Sequence, residues 1–244
     1  MYSEKKILFG QKYPAKNYLG ITEGENKMKD EKISNYVKLC EDWADKFMKM
    51  DQENLRKRVP ELKEENGFLT LIHFGRKYGI SLNDGSICSM DGQQEPDTTE
   101  MLNIYTLLGY GKEGAFFMNK WVPFADLRNA RPFAPAYKIG ETDVFGATFS
   151  GHEKELREAF CKLGGKELPQ GDVGYEIRAF ECMPMRFFFW ERDEEFEAQG
   201  NILFDYSATD FNHVESAVSI ADAGIKRLAE LAGLPVRGKS FQMK

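Results

Sequence analysis

The sequence predicts an α+β protein in which a mostly antiparallel sheet packs against several helices. Three observations predict this class: segments with helical periodicity lie on both sides of a meander of short apolar runs, strand-like segments follow one another directly near the C-terminus, and an amphipathic helix comes last. The 244 residues are 42% hydrophobic and 30% charged, with a formal net charge of −6. Such a chain can bury a sizeable core. Because it is acidic and has no long run of lysine and arginine, nucleic acid and anionic membranes are not expected as partners.

The first third of the chain predicts two helices followed by a meander of strands. Apolar residues recur at three- and four-residue steps over residues 31–49, as one face of a helix requires. Asp51 is a candidate N-cap for a short helix that ends near Pro60. Residues 67–90 alternate apolar runs with turn residues, and the turn around Asp84-Gly85 is a strong hairpin signal.

Two further helices are predicted from capping patterns in the middle of the chain. Asp97 is followed three residues later by Glu100, which predicts a helix that Gly109 ends. Ser150 begins a similar pattern and predicts a helix over residues 151–163.

Two apolar strands joined by a charged bend are predicted near the C-terminus. Residues 187–190 are aromatic on both faces, which indicates a central strand. A second strand over residues 201–205 returns antiparallel, so that Met185 lies opposite Asp205. The acidic bend at residues 191–195 is then about 16 Å from Asp205, and we interpret it as a solvated loop.

A final helix over residues 213–232 is predicted by its apolar stripe and by the Gly233 that follows it. The expected organisation is an N-terminal arm over residues 1–29, a single α+β domain over 30–232, or two subdomains over 30–115 and 116–232, and a C-terminal tail over 233–244.

Several apparent motifs are interpreted as structural. The glycines of residues 109–114 match G-x-G-x-x-G, but they follow a helix, whereas a dinucleotide site must follow a strand. His73 lies inside a predicted strand and is interpreted as a buried structural histidine. The four cysteines are widely spaced and lack a C-x-x-C pair, so that no disulfide framework or metal cage is expected. No cofactor is predicted.

The candidate site consists of Arg186, Asp205, Asp210 and His213. The last three fall within nine residues, on a strand end, a loop and a helix start. We expect Arg186 to pair with Asp205, and the four residues to bind a small anionic ligand. Two alternatives stay open. The two acids and the imidazole could hold a divalent metal for a hydrolase or transferase reaction, or Asp210 or Asn212 could simply cap the last helix.

The sequence also carries expectations about location and assembly. The N-terminus has no signal-peptide pattern, and no apolar run approaches the ~20 residues that cross a bilayer, so a cytoplasmic location is expected. The 19 phenylalanines are a large number to bury in one monomer, which makes a homo-oligomer a further hypothesis.

A succession of short motifs runs through the C-terminal half: Gly165, Gly171-Asp172-Val173, Pro184, the block Trp190-Glu191-Arg192-Asp193-Glu194-Glu195-Phe196, and Ile202-Leu203-Phe204-Asp205. This succession resembles a prokaryotic family of domains of unknown function, numbered 3786. The likeness covers about residues 30–230, and W-x-x-D-E-E-F is its most specific part. The family pattern has a proline after this phenylalanine, where Glu197 stands here.

The resemblance implies an origin among anaerobic bacteria or archaea. Some members are fused to iron–sulfur or corrinoid-protein modules, which implies a redox or one-carbon partner protein. It implies no reaction and no catalytic residues. We therefore expect a binding or accessory module, with the metal-assisted enzyme as the alternative.

Overall fold

The structure is a computed structural model that describes residues 23–92, 94–137 and 142–238. The chain divides into two compact units between Tyr36 and Val37. In the first unit, the described part is the start of one helix, and the rest of the predicted N-terminal arm lies outside the described residues. The predicted C-terminal tail is described as far as residue 238. All contacts below belong to the second unit.

The helices are α1 (Glu23–Phe47), α2 (Gln52–Arg58), α3 (Thr98–Tyr110), α4 (Ala134–Tyr137), α5 (Asp143–Phe149), α6 (Glu153–Lys162), α7 (Ala208–Phe211) and α8 (Val214–Ala232). The strands are β1 (Lys63–Glu65), β2 (Phe68–His73), β3 (Arg76–Ser81), β4 (Ile87–Ser89), β5 (Trp121–Pro123), β6 (Lys166–Glu167), β7 (Val173–Phe180), β8 (Met183–Trp190) and β9 (Gln199–Asp205). Within the described residues, no helix is both long enough and apolar enough to cross a membrane.

The strands form two sheets. The smaller sheet has the order β1-β2-β3-β4 and the larger has the order β5-β9-β8-β7-β6. Each strand pair among the described residues is antiparallel. The predicted α+β class with a mostly antiparallel arrangement is therefore confirmed.

The predicted meander is confirmed as β2, β3 and β4. Strand β1 was not predicted, because its residues, Lys63-Glu64-Glu65, are charged and carry no apolar alternation. The two N-caps before α2 and α3 are also confirmed. Asp51 accepts hydrogen bonds from the backbone N–H groups of Glu53 and Asn54, and Asp97 forms a reciprocal capping box with Glu100.

Strand β8 is the central strand of the larger sheet, as predicted. Phe187 and Phe189 on one face and Phe188 on the other are all buried. The face with Phe187 packs against helices, where its ring centroid lies 5.6 Å from that of Phe145 on α5 and 5.9 Å from that of Phe160 on α6. Burial of each such ring contributes about 1.5–3 kcal/mol to folding, so this strand is a main part of the core.

The hairpin of β8 and β9 forms with a register one residue from the prediction. Met185 lies opposite Phe204 instead of Asp205. The reason is the turn in the bend, where the Asp193 backbone N–H donates to the Phe196 carbonyl at 3.0 Å. This turn centres the hairpin between residues 194 and 195, whereas the predicted pairing placed the centre on residue 195.

Helix α1 covers Glu23–Phe47, whereas residues 31–49 were predicted, and the boundaries of α3 and α6 also differ from the prediction. Gly109 does not end α3, which continues to Tyr110. A Cβ at Gly109 would lie 2.5 Å from Cζ3 of Trp43, so the glycine serves the close packing of that indole on the helix. Ser150 does not cap α6, whose N-cap is His152. The Ser150 hydroxyl instead donates to Glu191 at 2.9 Å, so one acid of the bend binds the protein and is not simply solvated.

Candidate functional site

Arg186 pairs with a carboxylate on the strand before it. The Arg186 Nε donates to Oε2 of Glu176 at 2.9 Å, and the two residues lie directly opposite each other on β8 and β7. The guanidinium also lies over the Trp121 ring, 3.9 Å from its centroid. The predicted ion pair between Arg186 and Asp205 is therefore wrong, because β8 lies between β7 and β9, and the partner of Arg186 is on β7.

Asp205 is a buried carboxylate that holds two chain segments together. It accepts hydrogen bonds from the backbone N–H groups of Met118 at 3.0 Å and Lys120 at 2.8 Å. It also accepts from the backbone N–H of Ser207 at 3.0 Å and from the Ser207 hydroxyl. Four donors on two oxygens fix the approach to β5 and the turn into α7.

Asp210 is held by two cationic side chains. Arg128 donates to both of its oxygens, with Nη2 at 2.9 Å from Oδ2, and Lys112 Nζ lies 2.8 Å from Oδ1. Burial raises the pKa of this carboxyl, but the hydrogen bonds from Arg128 and Lys112 lower it by more, so the pKa lies below its ordinary value. Lys112 belongs to the G-x-G-x-x-G sequence, which here leaves a helix, as predicted.

His213 is the N-cap of α8. Its Nδ1 accepts a hydrogen bond from the Glu215 backbone N–H at 3.3 Å, and its ring centroid lies 5.1 Å from that of Tyr110. The cap of the last helix is thus supplied by the imidazole and not by Asp210. In the part of the chain that is described, no group of three His, Cys, Asp or Glu side chains could hold a metal ion. The binding role of the four predicted residues stays a prediction.

His73 is the buried structural histidine that the sequence predicts. Its Nδ1 lies 2.9 Å from the Ala179 carbonyl oxygen, and its ring stacks on Phe180 with centroids 4.3 Å apart. Burial is the main reason that the pKa of His73 is lowered to about 4. The imidazole is therefore neutral near pH 7, with Nδ1–H as the donor to Ala179.

A charged cleft of about 150 Å³ lies elsewhere in the structure. It opens between the N-terminal end of α3, the start of β3 and the C-terminal half of α8. It is lined by Arg76, Gln94, Asp97, Thr99, Glu100, Ala223, Lys226, Arg227 and Glu230. Three of these side chains are cationic and three are carboxylates, so the lining carries no formal net charge.

Arg76 is the buried cation of this cleft. Its Nη2 lies 2.6 Å from Oε1 of Glu230, and its Nη1 lies 3.3 Å from Oε1 of Glu100. Glu100 also accepts a hydrogen bond from the Tyr78 hydroxyl at 2.8 Å. Burial lowers the pKa of Arg76, but the charge of Glu230, with smaller contributions from Tyr78 and Glu100, raises it by more, so the guanidinium stays charged. Among the described residues, its buried Nε has no hydrogen-bond acceptor.

Arg227 is the second guanidinium of the cleft. Its Nη1 lies 3.1 Å from Oε2 of Glu230, and its Nε donates to the Phe74 carbonyl at 3.4 Å. The neighbouring Lys226 forms an ion pair with Asp222 at 2.6 Å. Glu230 therefore places one carboxylate oxygen on each of two arginines.

Sequence reasoning missed all three residues of this arrangement. Arg76 was interpreted as part of a turn with Gly75, although it is the first residue of β3 and is buried. A buried arginine needs a carboxylate, but Lys77 follows Arg76 directly, and this pair of cations carries no sign that one of them is buried. Arg227 and Glu230 are spaced three residues apart on the polar edge of the last helix, which by itself indicates a surface pair.

The fold and the cleft together define a class: an α+β protein with two antiparallel sheets and a charged pocket between a helix start and the last helix. The family model described as Domain of unknown function (DUF3786) matches residues 53–227. The match spans most of the chain, so the protein belongs to this family, as its motifs predicted. No curated protein and no solved structure matches the chain. The matched range includes Arg76 and Arg227 and ends three residues before Glu230.

Proposed function

We propose that this protein is a binding or accessory module whose small anionic ligand occupies the cleft between Arg76 and Arg227. The observation that carries the proposal is the convergence of two guanidinium groups on one carboxylate at the cleft. Arginine presents planar, fixed donors that match a carboxylate or phosphate, and it is the usual residue for such recognition. A ligand anion at this position would meet donors that the fold already orients.

The size and position of the cleft agree with a small ligand. A cavity of about 150 Å³ holds a molecule of roughly the size of benzene. The N-terminal end of α3, with Asp97 and Thr99, lies at the cleft, and the positive end of a helix dipole favours an anion. The carboxylates of Asp97 and Glu100 counter this effect, and both are engaged in the capping box. The arginines, rather than the helix end, therefore determine the sign of the ligand charge.

The site predicted from the sequence, with Arg186, Asp205, Asp210 and His213, is the other position for the ligand. Asp205 is buried, and protein donors hold both acids, whereas the cleft has open volume beside its arginines, which is why we prefer the cleft. In the described residues, no observation favours the metal-assisted hydrolase or transferase. Variants distinguish the two positions, since Arg186→Ala and His213→Ala change the site predicted from the sequence and leave the cleft lining intact.

The experiment is isothermal titration of the protein with succinate and, separately, with inorganic phosphate. We expect saturable binding of one of them to the wild type, a loss of affinity of tenfold or more in Arg227→Gln, and no change in Arg186→Ala. Arg56→Gln is the matched control, because Arg56 forms an exposed ion pair with Glu64 outside the cleft. Equal affinity in Arg227→Gln, or no saturable binding of either anion, would contradict the proposal.

We further propose that the protein is cytoplasmic, that it binds a redox or one-carbon partner protein, and that it forms a homo-oligomer. Large apolar side chains at the surface support an association: Phe116 is 66% exposed and Phe196 is 59% exposed. Light scattering measures the oligomeric state directly, and a monomer at all concentrations would remove the homo-oligomer.

A further inference from the structure

Glu230 occupies the cleft in the way that a bound carboxylate would. Its Oε1 contacts Arg76 and its Oε2 contacts Arg227, so each oxygen lies on a different guanidinium. The side chain of Glu230 is 47% exposed, whereas those of Arg76 and Arg227 are 7% and 11% exposed. The carboxylate is therefore at the mouth of the cleft, and the two cations lie behind it.

Glu230 is also held less firmly than its partners. It lies in the last turn of α8, where the negative end of the helix dipole disfavours a carboxylate. About half of the Glu230 side chain already faces solvent, so the carboxylate itself is readily hydrated when it leaves, and the cost of its departure falls on the two buried arginines. The arginines cannot follow it, because Arg76 also contacts Glu100 and Arg227 donates to the Phe74 carbonyl.

Departure of Glu230 would leave two oriented guanidinium groups short of acceptors. Buried donors without acceptors are unfavourable, so a new anion must take the vacated position. We infer, on the basis of the proposed function, that Glu230 is an internal occupant of the ligand site, and that the ligand is a carboxylic acid whose carboxylate displaces it from Arg76 and Arg227. Binding is then an exchange of one carboxylate for another.

The exchange specifies the class of ligand. The lining has three cations, and Lys226, the third, is paired with Asp222. Replacing the Glu230 carboxylate by the carboxylate of a ligand reproduces one oxygen on each arginine. A carboxylate reproduces the planar pair of oxygens that Glu230 places on the two arginines, whereas the oxygens of a phosphate are arranged tetrahedrally, so a carboxylate is the closer match.

The experiment compares succinate affinities of the wild type and Glu230→Gln by isothermal titration. Glutamine keeps the length of the side chain and removes the charge that competes with the ligand. We expect Glu230→Gln to bind succinate at least fivefold more tightly than the wild type. The gain should disappear in the double variant Glu230→Gln/Arg227→Gln. Glu215→Gln is the matched control, because it neutralises an exposed glutamate in the first turn of the same helix.

A second variant, Glu230→Asp, tests the displacement independently, in case the Glu230→Gln variant is misfolded. The aspartate side chain is one methylene shorter and cannot span both arginines. We therefore expect Glu230→Asp also to bind succinate more tightly than the wild type. Equal affinity of wild type, Glu230→Gln and Glu230→Asp, with binding still lost in Arg227→Gln, would overturn the displacement and leave the proposed function standing. A gain for phosphate but not for succinate would overturn the carboxylic acid assignment. No binding of either anion to any form would overturn both proposals.

Discussion

Arg76 and Glu230 are 154 positions apart in the chain, and their side chains meet at 2.6 Å in the cleft. The contact joins the first residue of β3 to the last turn of α8. Arg76 also contacts the carboxylate of Glu100 on α3, so its guanidinium connects a sheet with two helices. Removing it would affect folding as well as binding, which is why the binding experiments use Arg227 and Glu230.

We expect Asp205→Asn to destabilise the protein by about 2–4 kcal/mol, because hydrogen bonds to a buried charged group are strong and an amide NH₂ cannot accept. The backbone N–H groups of Met118 and Lys120 bind different oxygens of Asp205, so at least one of them would lose its acceptor in the asparagine variant, and limited proteolysis should cut near residues 112–120. Urea unfolding measures the free energy. Glu113→Gln is the control, because it removes the charge of an exposed glutamate in the same segment. If both substitutions lower the free energy of unfolding by the same small amount, Asp205 does not hold this segment.

Stability should fall in mild acid because of His73. The folded-state pKa of about 4 is below the ordinary value of 6.5, so the native protein binds the proton less readily than the unfolded chain. The free energy of unfolding should therefore decrease as the pH falls from 6.5 towards 4, by about 1–2 kcal/mol between pH 7 and pH 5. The free energy of unfolding of His73→Gln, measured with urea, should lack this part of the pH dependence. The half-exposed His213, replaced by Asn, is the control and should keep it.

Gly109→Ala should destabilise the protein, although alanine is the better helix former by about 1 kcal/mol. The new methyl group would overlap the Trp43 ring, and such overpacking costs about 1–3 kcal/mol. The test is the thermal midpoint of Gly109→Ala and of Gly109→Ala/Trp43→Leu, each compared with its parent. In the Trp43→Leu background, the alanine should be neutral or stabilising. A loss of the same size in both backgrounds would show that Trp43 is not the cause.

Arg186 should contribute to stability through Glu176 and Trp121. The ion pair and the contact with the ring are partly shielded, and Arg186→Met should cost about 1–2 kcal/mol. A double-mutant cycle with Glu176→Gln isolates the pair, and we expect a coupling of about 1 kcal/mol. Additive effects of the two substitutions would mean that the pair does not stabilise the sheet.

Local signals predicted the elements that depend on nearby residues. Asp51 and Asp97 cap their helices because an N-cap needs only the backbone of the next turn. The aromatic run of β8 identified the central strand, since a strand that is apolar on both faces must be covered on both sides. The prediction for Ser150 was wrong because Glu191, 41 positions away, takes its hydroxyl.

The candidate site could not be predicted in full, because its contacts join residues that lie far apart in the sequence. The partner of Arg186 is set by the strand order, which puts β7 beside β8, whereas the charged bend indicates only the hairpin with β9. Arg76 and Glu230 meet because β3 lies near the end of α8, and their spacing along the chain carries no sign of this. Asp205 and Asp210 were found as polar residues near a helix start, but, apart from Ser207, the residues that donate to them lie at positions 112–128.

The most direct test of the central claim is a crystal structure of the protein grown with succinate. We predict that one succinate carboxylate contacts both Arg76 and Arg227, and that the Glu230 side chain turns towards solvent. A structure in which Glu230 still bridges the two arginines while succinate is bound elsewhere, or is not bound, would contradict the account.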